Sequence, residues 1–179
     1  MKWIRHMPFL LVLLAQFLCF CCIRPAYPPE KDTGDARKKK MMEQVNKVLL
    51  QKDEEVIENY VKRMGWDMKK TGSGLWYMVY EKGSGTIAST GMKATFSYRV
   101  SLLDGTVCYS SDETGPRSFI IGQGGVEPGL EEGILLLRAG DKARFILPPH
   151  LAHGLLGDQQ RIPARATILY ELELKEVSK

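Results

Sequence analysis

The sequence predicts an α+β domain in which a twisted antiparallel sheet wraps around one short helix, after a leader and a helical arm. Apolar and polar residues alternate over 94–102, which is typical of a strand with one buried face. The pair Asp104-Gly105 follows directly and indicates a hairpin turn. A short helical pattern then begins at Pro128, a residue suited to a first helical turn, and further strand patterns follow it.

The composition of the 179-residue chain is that of a folded protein, with 44% hydrophobic and 26% charged residues. A net charge of +4 is small, and no basic stripe is interleaved with aromatic residues, so we expect no nucleic-acid partner. Three of the four cysteines lie at residues 19–22, and the three histidines form no ligand pattern. The sequence therefore predicts neither a disulfide framework nor a metal site, and we expect no cofactor.

Residues 1–22 have the layout of a secretory signal, in which basic residues precede an apolar run over 8–20. That run is too short to span a bilayer comfortably. The cysteines at its end resemble a loose bacterial lipobox, in which one cysteine becomes the lipidated first residue. Cys22 follows a small residue and is preferred as the lipidation site over Cys21. A cleaved signal without lipid and an uncleaved anchor are the alternatives.

A tether is predicted over residues 23–34, which are rich in proline and charge, and an amphipathic helical arm over residues 35–71. Gly65 is the expected end of the helix itself. The apolar stripe of the arm recurs at spacings of three and four residues and comprises Met41, Val45, Val48, Leu49, Val56, Ile57, Tyr60, Val61 and Met64. The stripe fits either packing on the same domain or a contact with a second copy or another partner.

The remaining residues, 72–179, are predicted to form one domain. Strands are expected at 75–80, 94–102, 107–110, 119–121, 143–147 and 167–174, with one helix from Pro128 to a stop at Gly140. On the last strand, the inner face is predicted to carry Ile168, Tyr170, Leu172 and Leu174.

Three segments of this domain, SFIIGQGGVEPGLEEGI, DKARFILPPHLAHGLLG and IPARATILYELEL, resemble FKBP-type peptidyl-prolyl cis-trans isomerases. The resemblance covers residues 72–179 and implies rotation about X-Pro peptide bonds of protein clients, with no metal or other cofactor. The sequence of these segments, together with the leader and the arm, is similar to that of membrane-anchored FKBP-type lipoproteins of Bacteroidetes, including those associated with gliding motility. That similarity implies a bacterial cell-envelope location through a lipid anchor.

The resemblance also implies roles for particular residues. As catalytic residues it implies Tyr98, Glu127, His153 and Tyr170. As substrate-binding residues it implies Cys108, Tyr109, Phe119, Val126, Leu130 and Ile162. For Glu127 the implied contribution is the backbone N–H, because this position is usually isoleucine in the family.

Several of these positions depart from the family pattern. Cys108 and Tyr109 stand where the family usually has Phe and Asp, and Leu130 replaces a Trp at the pocket floor. His153 replaces a Tyr whose hydroxyl bonds the ligand, and its ring nitrogen can donate instead. Arg117 replaces another aromatic residue. We expect a smaller and more polar pocket that binds proline weakly.

Two hypotheses for function follow from the sequence. The first is an envelope-anchored prolyl isomerase that assists the folding of exported or envelope proteins. The second is a non-catalytic peptide-binding or chaperone-like module, since a fold does not guarantee an activity. In that case Arg117 and Glu127 would form a polar recognition site, and the arm would bind a second copy or a partner.

Overall fold

The computed structural model describes residues 33–179, and the compact unit that contains the sheet spans Glu43–Lys179. The predicted leader, with Cys21 and Cys22, lies outside the described residues, as does nearly all of the predicted tether. Among the helices of residues 33–179, none is long and apolar enough to cross a membrane.

The predicted arm is a helix, α1, over Thr33–Met64. It ends where predicted, because Gly65 adopts a positive φ of 66°, a conformation that costs glycine little. The Gly65 N–H donates to the Lys62 carbonyl at 3.2 Å and closes the last turn.

The apolar stripe of α1 is used differently along its length. Its second half packs on one face of the sheet through a cluster of buried side chains: Ile57, Tyr60, Val61, Ile146 and Leu169. Earlier in the helix, Val45 and Val48 are exposed. Packing on the same domain thus accounts for Ile57, Tyr60 and Val61, and it leaves the first half of the stripe uncovered.

Within residues 33–179, seven strands form one antiparallel sheet: the six that were predicted and a short first strand in the segment that the sequence analysis assigned to the arm. They are β1 (Lys69–Lys70), β2 (Trp76–Glu81), β3 (Lys93–Leu102), β4 (Val107–Ser110), β5 (Arg117–Ile120), β6 (Lys142–Leu147) and β7 (Ile168–Ser178). Their order is β1-β2-β6-β7-β3-β4, and β5 pairs with the first half of β3 beside β4. β4 and β5 therefore each have a strand on one side only.

Three short helical segments complete the fold: α2 (Ser111–Thr114), α3 (Pro128–Ile134) and a 3₁₀ turn at Pro149–Leu151. α3 lies on the inner face of the sheet, and its Leu130 and Ile134 are fully buried. Gly133 permits a close approach, because a Cβ there would lie 2.5 Å from the Phe145 ring.

The prediction that the central helix continues to Gly140 is wrong. α3 ends at Ile134, and the next residues form tighter turns in which the N–H of Leu137 donates to the Ile134 carbonyl. Leu137 is nevertheless buried. The apolar pattern that suggested a longer helix therefore comes from a side chain that is buried while its backbone forms a turn. Gly140, with a φ of 92°, belongs to the turn into β6.

The main core lies between α3 and the inner faces of β3, β6 and β7. The alternation predicted for β3 and β7 is confirmed, with Phe96, Tyr98, Val100, Tyr170, Leu172 and Leu174 all buried. The rings of Tyr98 and Tyr170 lie side by side on adjacent strands, with centroids 6.3 Å apart. Their position at the rim of the core places both in the wall of the candidate site.

Candidate functional site

An open pocket of about 660 Å³ lies where the inner face of the sheet meets the start of α3 and the loop after the 3₁₀ turn. Its volume is in the range of pockets that bind small molecules or short peptide segments. Six predicted site residues line it: Tyr98, Tyr109, Val126, Glu127, His153 and Tyr170. The structure therefore brings together residues that are up to 72 positions apart in the chain.

One wall of the pocket is part of the sheet. Tyr98 on β3 and Tyr170 on β7 present their rings to the cavity, and Val100 lies beside them. The Tyr98 hydroxyl is 3.3 Å from the Thr114 hydroxyl, so its polar end is held at the rim by α2. This wall is apolar and is held by two antiparallel strand pairings.

Glu127 places a carboxylate inside this mainly aromatic pocket. It is the residue before the first turn of α3, and only 11% of its side chain is exposed. Its Oε1 accepts a hydrogen bond from the Tyr170 hydroxyl at 3.0 Å, whereas Oε2 is buried and accepts none from residues 33–179. Burial raises the pKa of Tyr170 well above its usual value, and the nearby Glu127 charge raises it further.

His153 stands beside the same carboxylate. Its Nε2 is 3.0 Å from Glu127 Oε1, but the ring N–H is not aligned for a hydrogen bond, and Nε2 has no other partner among the described residues. The contact becomes an ion pair only when the imidazole is protonated. The pocket thus contains a carboxylate that contacts both a phenol and an imidazole, and two atoms of these groups, Glu127 Oε2 and His153 Nε2, still have unused hydrogen-bonding capacity.

A second wall, which we call the loop wall, consists of Tyr109 on β4 and the loop residues Asp158 and His153. Asp158, a residue that the sequence analysis missed, holds this wall together. Tyr109 on β4 donates a short hydrogen bond to Asp158 Oδ2. Asp158 Oδ1 accepts from the backbone N–H groups of Gln160, Arg161 and Ile162 at 2.7–3.0 Å. An Asp directly after Gly157 is a typical turn signal, which could have revealed the contacts with the backbone amides but not the contact with Tyr109.

These contacts determine the ionisation of Asp158 and Tyr109 in the loop wall. Burial raises the pKa of Asp158, but the hydrogen bonds from Tyr109 and the three backbone amides outweigh burial and lower it to about 2. The same hydrogen bond is the main reason that the pKa of Tyr109 is raised. Asp158 is therefore ionised and Tyr109 neutral at ordinary pH.

Arg161 fixes the loop wall to the edge of the sheet. Its guanidinium lies over the Tyr109 ring at 5.3 Å and donates from Nη1 to the Cys108 carbonyl at 2.8 Å. The same nitrogen contacts Glu113 at 3.2 Å. The loop after Gly157 is thus bound to β4 through side chains rather than through a strand pairing.

Four of the predicted site residues are buried but are absent from the residues that line the cavity: Cys108, Phe119, Leu130 and Ile162. Burial raises the pKa of the Cys108 thiol, which disfavours its reactive thiolate form. Arg117 does line the pocket, with its guanidinium 5.8 Å from the centre of the Tyr98 ring. The catalytic and substrate-binding roles of all these residues stay predictions.

The pocket is suited to gripping a small apolar ring. It offers aromatic walls and donors at the Tyr98 hydroxyl and the His153 ring. Within residues 33–179, no cluster of three His, Cys, Asp or Glu could hold a metal ion. The aromatic walls and the donors together are suited to binding and orienting a ligand.

Three comparisons with known proteins agree with this geometry. An FkpA-type peptidyl-prolyl cis-trans isomerase of Aeromonas hydrophila is 36% identical over 72% of this chain and 46% of its own length. The crystal structure of AtFKBP13 superposes with a TM-score of 0.60 at 29% identity, over 62% of this chain and 98% of that one. The crystal structure of FkpA from Escherichia coli has a TM-score of 0.61 at 23% identity and covers 96% of this chain and 81% of its own.

The FkpA relatives are longer proteins, and this chain spans less than half of their length. The second superposition includes the helical arm in its coverage and supports the fold alone, since its sequence identity is low. The family profile described as FKBP-type peptidyl-prolyl cis-trans isomerase matches residues 85–175, just over half of the chain, including both walls of the pocket. This chain therefore belongs to the FKBP-type peptidyl-prolyl cis-trans isomerase family.

Proposed function

We propose that this protein catalyses cis-trans isomerisation of X-Pro peptide bonds in protein clients. The observation that carries the proposal is the pair of adjacent aromatic rings, Tyr98 and Tyr170, that line one pocket together with Val126. This wall offers apolar surface on which a pyrrolidine ring can rest. Membership of the isomerase family supports the same activity.

The reaction asks for binding rather than acid-base chemistry. Rotation about the peptide bond meets a barrier of about 18–20 kcal/mol, because the twisted amide loses its resonance. A pocket that holds the proline ring, excludes water and binds the twisted amide more tightly than the planar one lowers that barrier. In our proposal the Tyr98 hydroxyl and the His153 ring donate to the carbonyl oxygens on either side of the bond.

The polar groups of the pocket would lower its affinity for proline. Glu127 brings a nearly buried carboxylate to a surface that has to contact an apolar ring, and such a group costs free energy unless it is fully hydrogen-bonded. We therefore propose a weaker and more selective isomerase than a fully aromatic pocket would give.

We further propose that the clients are exported or envelope proteins. The predicted signal and lipobox-like cysteines support a lipid anchor at Cys22, and the similarity to Bacteroidetes lipoproteins, including those of gliding motility, supports the same placement. Metabolic labelling with a radioactive fatty acid tests the anchor. Label lost in Cys22→Ala but kept in Cys21→Ala supports it, and label kept in both variants contradicts it.

The first half of α1 is proposed as a contact for a second copy or a partner. The exposed Val45 and Val48 support this interpretation, since nothing in the compact unit covers them. Sedimentation of the Val45→Ser/Val48→Ser variant tests whether the contact is with a second copy. A sedimentation coefficient equal to that of the parent chain would exclude it.

A non-catalytic peptide-binding module is the second candidate function. The unfilled hydrogen-bonding positions on Glu127 and His153, together with Arg117 at the rim, favour it. Such groups recognise a polar peptide without lowering a rotational barrier. Only a measurement of isomerisation separates the two candidates.

The experiment is magnetisation-transfer NMR of cis-trans exchange in a tetrapeptide with one X-Pro bond, with the purified chain added. We expect catalysed exchange by the parent and at least tenfold lower kcat/KM in Tyr98→Phe and His153→Ala. Arg99→Ala is the matched control, because Arg99 neighbours Tyr98 on β3 but pairs with Asp112 outside the pocket.

Each variant is checked for folding by circular dichroism before exchange is measured. A parent chain that is folded and leaves exchange at the uncatalysed rate would overturn the isomerase proposal in favour of the binding module. Equal losses in Arg99→Ala and Tyr98→Phe would show that the pocket is not the site of catalysis.

A further inference from the structure

The most exposed large apolar side chains of the compact unit Glu43–Lys179 are two adjacent leucines near the pocket. Leu155 is 69% exposed and Leu156 is 73% exposed. Single exposed leucines are common at protein surfaces, but an adjacent pair held away from the core exposes a local apolar patch. The pair lies in residues 154–165, which we call the client loop.

The client loop is closed at its base. The N–H of Arg165 donates to the Gly154 carbonyl at 3.0 Å, so the two ends of the loop meet. Arg165 adopts a positive φ of 56°, which is unfavourable for a residue with a side chain and persists only where its surroundings impose it. The loop geometry is thus specified by the fold.

Two further contacts fix the client loop from outside. The Arg165 guanidinium donates to both carboxylate oxygens of Asp53 on α1, at 3.0 and 3.1 Å. Asp158 joins the loop to Tyr109 and accepts the three backbone amides described above. Gly157 leaves no room for a side chain, because a Cβ there would lie 2.2 Å from the Ile162 carbonyl oxygen.

These contacts explain why the leucines stay exposed. Burying them in the core would require breaking an ion pair and several hydrogen bonds that hold the loop on α1 and β4. A loop that is fixed in this way and still presents two leucines to water has a surface suited to binding an apolar partner.

The position of the leucines indicates which partner that is. His153 and Asp158 line the pocket, and the leucines lie between them in the chain. Leu155 is two residues from His153 and Leu156 is two residues from Asp158, and each residue extends at most about 3.6 Å, so both leucines lie close to this rim of the pocket. A client chain that leaves the pocket along this rim would bring the residues next to its proline against them.

We propose that Leu155 and Leu156 form a docking surface for apolar residues that flank proline in an unfolded client. Folded proteins bury such residues and unfolded chains expose them, so the surface favours unfolded chains. This inference rests on the proposed function in one respect, namely that the client proline occupies the pocket. It does not require that the chain catalyses isomerisation.

The test compares Leu155→Ser/Leu156→Ser with the parent chain on two probes. The first is binding of reduced and carboxymethylated α-lactalbumin, a permanently unfolded chain, measured by fluorescence anisotropy. The second is catalysed exchange in a short X-Pro tetrapeptide, which fills the pocket but barely extends beyond it. We expect about tenfold weaker binding of the unfolded chain, as partial burial of two leucines implies, and unchanged kcat/KM on the tetrapeptide.

Leu135→Ser/Leu136→Ser is the matched control, because this second Leu-Leu pair is 40% and 43% exposed but lies after α3 and lines no part of the pocket. We expect it to leave both probes unchanged. Thermal unfolding checks that each variant is folded, and exposed positions of this kind change stability little.

Three outcomes would overturn the proposal. Unchanged binding of the unfolded chain would show that the leucines do not contact it, and equal losses on both probes would show that they act through the pocket. A lower sedimentation coefficient of Leu155→Ser/Leu156→Ser would show that they bind a second copy. A parent chain that binds the unfolded probe through these leucines but catalyses no exchange would remove the isomerase proposal and leave this one standing.

Discussion

The two walls of the pocket are held by different kinds of interaction. The sheet wall consists of Tyr98 and Tyr170, which are also part of the main core and lie on strands paired along their whole length. The loop wall consists of Tyr109 on the edge strand β4 and of Asp158 and His153 in the following loop, which are held by side-chain contacts. We therefore expect a change in the sheet wall to disturb the core and a change in the loop wall to disturb it less.

Most positions that the sequence analysis interpreted as departures from the family pattern lie outside the centre of the sheet. Those on β4 and β5, which each pair on one side only, are Cys108, Tyr109 and Arg117. Glu127 precedes α3, and His153 lies in a loop. Leu130 is the exception, because it is buried on α3. If the resemblance to the family holds at these positions, we expect substrate preference to diverge mainly at edge strands and loops.

The largest effect is expected from Tyr170→Phe, which keeps the ring and removes only the hydroxyl. The change takes away the aligned hydrogen bond of the Glu127 carboxylate inside the pocket. We expect a loss of about 2 kcal/mol in the free energy of unfolding, because a buried charged acceptor is left unsatisfied. Urea unfolding at pH 7 measures it.

Glu127→Gln in the same background provides the control for this prediction. If the loss comes from the unsatisfied carboxylate, Glu127→Gln should recover part of the stability of Tyr170→Phe, giving a coupling free energy between the two positions. Additive effects of the two substitutions would contradict the assignment and place the loss in the packing of the ring.

A smaller effect is expected from Asp158→Asn in the loop wall. The substitution keeps the size of the side chain but removes the charge that accepts from Tyr109 and three backbone amides. We expect a loss of about 1 kcal/mol at pH 7, after allowance for partial exposure to solvent. The loss is measured by urea unfolding.

The pH dependence of that loss has a defined direction. The pKa of Asp158 is about 2 in the folded chain, below its ordinary value of 3.8, so the ionised carboxylate stabilises the fold above that ordinary value. This stabilisation declines as the pH falls from about 4 towards 2. The difference between parent and Asp158→Asn should therefore shrink over this range, and a constant difference would contradict the role of the charge.

The strands of the sheet could be predicted from the sequence more completely than the segments outside it. Apolar and polar residues alternate along the strands with a period of two, so the local sequence predicts the strands and the inner-facing residues of β7. It does not predict the end of α3, because Leu137 is apolar and buried whether its backbone is helix or turn. Periodicity predicts which side chains are buried and does not distinguish these two backbones.

The site was predictable only in its sheet wall and at the positions that resemble the family. Asp158 was missed because its role depends on Tyr109, which lies 49 residues earlier in the chain. The link between Asp53 and Arg165 spans 112 residues and joins two segments that the sequence analysis treated separately. Contacts of this length leave no local pattern, since neither partner differs from an ordinary surface charge.

The smallest effect on stability is expected from Asp53→Asn, which removes the charge that joins α1 to the client loop. Both side chains remain partly exposed to solvent, which weakens the ion pair. We therefore expect a loss of less than about 1 kcal/mol in the free energy of unfolding. The local effect should be larger, since Arg165 would no longer be held in its unfavourable backbone conformation. Amide hydrogen exchange in residues 154–163 should then accelerate severalfold. Exchange on the intact chain, followed by digestion and mass spectrometry of the peptides, measures it.

Glu54→Gln is the matched control for this prediction, because Glu54 is the next residue of α1 and pairs with Lys70 on β1 instead of with the client loop. It removes the same charge from the same turn of the helix and should leave exchange in the loop unchanged. Faster exchange in both variants would mean that loosening α1 anywhere is sufficient. Faster exchange in Asp53→Asn alone would show that one ion pair lets the arm hold the loop in place, so that the loop residues of this wall depend on a helix outside the sheet.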